Sequence, residues 1–194
     1  VLQFSDEPGV IVEAQYGLAK SFEKMKLPLA AQRYFEEIVR EGSDHPYFTE
    51  GVEGLLDAAD ELDDDFKIPP VIDAMYDVNT NALAKMKPET LQRIHFIVGR
   101  NAFQRQKIAE ARDFLGTVKE GNPAYAKAQY LLGLIALGVG RPDSPPPKYE
   151  ESATHFSNVR DAIGADVLEG EGEAAERLDR GGRRRALPAR AQVG

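Results

Sequence analysis

An all-α fold built from stacked helix pairs is what this sequence predicts, and three observations carry the prediction. A small residue recurs at Ala19, Gly54, Gly99 and Gly133, with spacings of 35, 45 and 34 residues. One helix-turn-helix unit is about 34 residues long, so these positions read as equivalent points in successive units. The second observation is a ladder behind the small residue. Ala31, Phe35 and Ile38 stand 12, 16 and 19 residues after Ala19, and Ala111, Leu115 and Val118 stand at the same offsets after Gly99. Ser152, Phe156 and Val159 repeat the ladder after Gly133 once a seven-residue insertion around Arg141 to Lys148 is allowed. Third, the apolar residues between these landmarks follow a period of about 3.6 instead of alternating, the pattern of amphipathic helices.

The elements follow in order. Asp6, Glu7 and Pro8 are helix-start chemistry for a first helix over Val10 to Met25. Pro28 opens a second to Arg40, which Gly42 ends, and a third runs from Tyr47 to Leu62 before the acidic run Asp63-Asp64-Asp65. Pro69-Pro70 start a short apolar segment with Val71, Met75 and Val78 on one face, so the unit begun at Gly54 shows no clean second helix. Lys87-Pro88-Glu89 begins the helix to Gln104, and Ile108 to Val118, Tyr125 to Val139 and Tyr149 to Ile163 complete the series. Between the last two, Pro145 to Pro147 make Arg141 to Lys148 an extended loop. The expected packing sets small against small, Ala19, Gly99 or Gly133 facing Ala31, Ala111 or Ser152, while larger residues fill the gap to the next pair.

Composition narrows the function. With 42% apolar residues in 194, the chain holds one sizeable core, over residues 1–163. No apolar run approaches the 18 or more residues of a membrane span. The net charge of −8 sits in the body, where 26 acidic and 18 basic residues precede position 164. An acidic body without a basic stripe excludes general nucleic-acid binding, which needs clustered Lys and Arg against phosphates. Residues 164–194 carry six Arg and no Lys or aromatic, the composition of a disordered or weakly helical charged tail. Without cysteine there is neither a disulfide nor a thiolate metal site. His45, His95 and His155 lack metal spacing, the Asp60 to Asp65 cluster lacks the pattern of a calcium loop, and no phosphate-loop or nucleophile-elbow motif occurs. The reading is a non-enzyme with no cofactor and no metal.

Leu18-Ala19 with Phe22, Ala31 and Phe35, then Val98-Gly99 with Ile108, Ala111 and Pro123, then Leu132-Gly133 with Tyr149 and Phe156, match one repeat pattern. Over residues 9–163 the chain resembles the tetratricopeptide repeat family, although Gln15, His95 and Gln129 replace that family's early aromatic. The resemblance implies a right-handed α-α superhelix, a solenoid of about four helix pairs, acting as a scaffold for a protein or peptide partner. It also implies an inner groove lined by the first helix of each pair, and similar bacterial repeat proteins often work in envelope assemblies. The groove positions here give Tyr16, Lys20, Arg93, Phe96, Arg100, Phe103, Lys127 and Tyr130 as partner-binding residues, with Glu23, Gly51, Leu55, Ala58, Leu134 and Leu137 beside them. Rings and positive charge inside an acidic protein suit a peptide with apolar anchors and a few carboxylates. The same rings also fit packing between adjacent units. The family's clamp of paired asparagines and lysines for a C-terminal carboxylate has no counterpart, and the alternative readings are a structural module that self-associates through its ends and, behind it, an enzyme whose site carries no recognised motif.

Overall fold

Proline sets helix starts in this chain, and a reversal of φ sets two of the turns between paired helices. A computed structural model describes residues 8–62, 68–139 and 146–164, which hold eight helices and no strand. They are α1 Pro8–Lys24, α2 Pro28–Glu41, α3 Phe48–Leu62, α4 Ile68–Leu83, α5 Pro88–Gln104, α6 Ile108–Leu115, α7 Tyr125–Ala136 and α8 149–164. The expectations for Asp6 and Glu7, the acidic run after Leu62, most of the proline-rich loop and the tail from residue 165 lie outside the described residues. None of the helices described is long and apolar enough to cross a membrane.

The turns repeat in detail. Lys26 and Gln106, at φ 57° and 61°, each occupy the left-handed position that ends a first helix. One residue later the Leu27 N–H donates to Phe22 O at 3.0 Å and the Lys107 N–H to Ala102 O at 2.9 Å. This is the six-to-one bond of a Schellman ending, which reverses the chain so that α2 and α6 fold back on α1 and α5. The opposite turns match as well. His45 Nδ1 accepts the Tyr47 N–H at 3.1 Å, and Asn122 Oδ1 accepts the Ala124 N–H at 3.0 Å, each side chain buried and each followed by proline. An imidazole thus does at one turn what an amide does at the other.

Packing departs from the small-against-small expectation. At Gly99 and Gly133 the large residue of the ladder, Leu115 and Phe156, sits directly against the small residue of its own pair. A Cβ added to Gly99 would lie 2.9 Å from Leu115 Cγ, and one on Gly133 would lie 2.7 Å from the Phe156 ring. Gly54 meets the Phe35 ring still more closely, so that ring is wedged between the first pair and the second. The core forms two clusters, one drawn from α1 to α5 and one from α5 to α7, with Phe96 packed against both. Each helix packs chiefly on its chain neighbours, and contacts skipping one element join α2 to α4 and α5 to α7.

The unit begun at Gly54 does have a second helix, contrary to the sequence reading: α4 spans 16 residues. It is bent at Asn79, where φ is −117° and ψ 19°. Asn79 holds the bend, donating Nδ2 to Met75 O and accepting the Ser43 N–H at Oδ1, both at 2.9 Å. The break in apolar pattern that obscured this helix is the bend itself. Two other helices are shorter than expected: α6 stops at Leu115, and α7 at Ala136, before Gly138 at φ 74°.

Gly54→Ala is expected to lower unfolding free energy by about 1–3 kcal/mol through overpacking against Phe35. Gly17→Ala, on the same kind of helix with nothing within 4 Å of the added methyl, should be neutral or stabilise by up to about 1 kcal/mol. Denaturant titration of the two variants separates a packing contact from simple helix propensity.

Candidate partner-binding groove

Side chains four apart share one face of a helix, and so do those three apart. Phe96 and Arg100 therefore leave α5 together, and Lys127 and Tyr130 leave α7 together. The α5–α7 contact joins the two faces, and α8 adds Val159 and Ile163. The result is a cavity of about 400 Å³ lined by Phe96, Arg100, Ala126, Lys127, Tyr130, Leu131, Val159 and Ile163, with no carboxylate among them. The Arg100 guanidinium lies over the Phe96 ring, 5.9 Å from its centroid. Tyr130 is 49% exposed, with its ring held at 5.9 Å from that of Phe156. Lys127 is exposed and forms no ion pair among the described residues.

Four of the eight sequence-predicted residues, Phe96, Arg100, Lys127 and Tyr130, line this cavity, and Tyr16, Lys20, Arg93 and Phe103 do not. Tyr16 stacks flat on Tyr47, centroids 4.2 Å apart and planes 6° from parallel. Lys20 is paired with Glu23, whose hydrogen bond raises the ammonium pKa, with further help from Asp57. Arg93 donates Nη1 to Asp57 Oδ1 at 2.9 Å and Nη2 to Asp60 Oδ2 at 2.7 Å, with only 20% of its side chain exposed. Phe103 packs half-buried against the second core cluster. In the second unit Gly51, Leu55 and Ala58 are buried outright. Residues at equivalent repeat positions thus divide between internal packing and an open surface. The division follows the acids of α3: Asp57 and Asp60, three and six residues after Gly54, bind Arg93 of α5, whereas the corresponding positions after Gly99 are Ala102 and Arg105 and offer no acid to Lys127 of α7.

Sequence reasoning missed the contribution of α8. Phe156, Val159 and Ile163 stand at i, i+3 and i+7, one helical stripe, and that spacing was the available signal. It also missed what the polar replacements of the early aromatic do, since each reaches across to another helix. Gln15 Nε2 donates to Glu41 Oε1 at 3.3 Å. Gln129 Oε1, on a buried side chain, accepts from His155 Nδ1 at 2.7 Å and Asn158 Nδ2 at 3.0 Å. His95 meets Tyr76 edge-on, centroids 5.8 Å apart, and so still packs as an aromatic.

The His95 tautomer follows from its partners. Thr117 Oγ1 commits its proton to Phe114 O at 2.7 Å, so Nδ1–H of His95 donates to Thr117 Oγ1 at 2.8 Å. Nε2 then accepts the Tyr76 hydroxyl at 3.2 Å. A second proton on the ring would oppose that bond, and burial lowers the pKa of His95.

A comparison with known protein families finds no match, and no curated protein matches the chain.

The lowered pKa of His95 fixes a pH dependence. The unfolded chain takes up the proton first as pH falls, so the neutral His95 network contributes fully above the ordinary imidazole value of 6.5 and loses its contribution below it. Between pH 7 and pH 5 the wild type should lose more stability than His95→Gln, whose amide does not titrate. Equal losses in denaturant titrations at both pH values would show that the network does not hold His95 neutral.

Proposed function

We propose that the chain is a non-catalytic interaction scaffold, its helix pairs stacked as a right-handed tetratricopeptide-like superhelix. In this reading the α5–α7–α8 cavity captures an acidic peptide segment carrying apolar anchors. One observation carries it: an apolar cavity edged by Arg100 and Lys127, with no carboxylate in its lining, on a chain of net charge −8. Matched Schellman turns and the seating of large residues on Gly99 and Gly133 support the repeat architecture.

The chemistry of capture follows from the lining. Phe96, Tyr130, Leu131, Val159 and Ile163 offer apolar area to an aliphatic or aromatic anchor, and the anchor's transfer from water supplies the driving force. Phe156 limits the freedom of the Tyr130 ring before any ligand arrives, so little rotamer entropy is lost on binding. Lys127 then selects for carboxylates flanking that anchor, and a basic peptide meets like charge.

Peptides selected from a displayed library against the full chain should be rich in Asp and Glu around one or two apolar residues. Tyr130→Ala and Lys127→Glu should each weaken their capture by about 1–2 kcal/mol, measured by titration, with the melting curve unchanged for the exposed Lys127 and lowered only slightly for Tyr130, which loses its contact with the Phe156 ring. Arg93→Ala should do the reverse, lowering the melting temperature through loss of the Asp57 and Asp60 bonds while leaving capture intact. Full capture by both Tyr130→Ala and Lys127→Glu would rule the cavity out as the binding surface.

A further inference from the structure

The residues after α8 have the composition that this cavity selects. Ala165 to Glu176 reads Ala-Asp-Val-Leu-Glu-Gly-Glu-Gly-Glu-Ala-Ala-Glu: an apolar pair, Val167-Leu168, between Asp166 and Glu169, followed by Glu171, Glu173 and Glu176 and containing no basic residue. Five carboxylates in twelve residues meet an acidic body that repels them, since residues 1–163 hold 26 acids against 18 bases. The cavity edged by Arg100 and Lys127 is a place on that body where apolar surface and positive charge coincide.

Connectivity favours the same match. Ile163 lines the cavity and Gly164 is the next residue, so the segment begins at the cavity's edge. Val167 lies three residues beyond Gly164, a span of up to about 11 Å in extended chain. Gly164, Gly170 and Gly172 remove the steric cost of a reversal on either side of the apolar pair.

We propose that residues 166–176 occupy the α5–α7–α8 cavity in cis, Val167-Leu168 on its apolar floor and the flanking carboxylates toward Lys127. The segment is then an internal competitor, and an external partner binds by displacing it. The proposal rests on the reading of the cavity as a site for acidic apolar peptides. A short tether holds the segment at an effective concentration on the order of a millimolar. Against an intrinsic Kd of about 100 µM, that concentration weakens an external peptide about tenfold, the occupied fraction being unavailable to it.

The test uses the full chain and a labelled synthetic peptide of residues 165–176. Its affinity is measured for the wild type and for a full-length double variant, Val167→Ser with Leu168→Ser, each also carrying Tyr130→Ala in a parallel titration. The double variant is expected to bind the peptide about tenfold more tightly than the wild type. Tyr130→Ala should abolish the difference, and carbodiimide cross-linking of the wild-type monomer should join Lys127 to a carboxylate within 166–176. Equal, Tyr130-dependent affinities with no such cross-link would overturn the internal competitor and leave the cavity's peptide-binding role standing. Absence of Tyr130-dependent binding to the double variant would overturn both.

Discussion

The cavity exists because α8 lies close against α7, and their separation is set where the Phe156 ring meets Gly133. A side chain at position 133 would drive that ring away, since even a Cβ would stand 2.7 Å from it. The seated ring in turn steadies Tyr130, and the same helix face of α8 carries Val159 and Ile163 to the cavity. The equivalent seating of Leu115 on Gly99 fixes α6 against α5, and Phe35 against Gly54 fixes the second unit on the first. One contact type, a large side chain received by a missing one, thus spaces the helix pairs along the chain. Everything that the cavity presents is downstream of it.

Polar groups add order to that spacing. Four residues before the small position, Gln15, His95 and Gln129 make hydrogen bonds to other helices. A buried amide is costly in any register that leaves it unpaired, so at Gln129, which is buried, these bonds penalise a slipped helix more than they reward the native one. Gln129 shows this most clearly: its oxygen takes two donors from α8, His155 and Asn158, and sits on the helix whose other faces build the cavity. The Arg93 bonds to Asp57 and Asp60 do similar work between α5 and α3 while removing that cation from the surface.

Much of the helix order was legible because it is local. The small-residue period, the prolines at positions 28 and 88 and the 3.6 periodicity located seven of the helices to within a few residues. The eighth, α4, was obscured because its apolar stripe is interrupted where Asn79 bends it, and the bend depends on the distant Ser43 N–H. The groove was half legible for a related reason. Repeat position says which way a side chain leaves its helix, and it placed Phe96, Arg100, Lys127 and Tyr130 together. Whether that side chain stays available depends on neighbours in another unit: Tyr47 takes Tyr16, and the α3 acids take Arg93. Those pairings join residues about 30 positions apart and leave no local trace.

The central claim is that this molecule recognises acidic apolar segments at one place. Amide chemical-shift mapping on the isotope-labelled full chain, titrated with a synthetic peptide holding two leucines among glutamates, addresses it residue by residue. The account predicts shifts concentrated at Phe96, Arg100, Lys127, Tyr130, Val159 and Ile163, fading as salt is raised. Shifts gathered instead around Tyr16, Lys20 and Arg93, or none at the cavity at millimolar peptide, would contradict it.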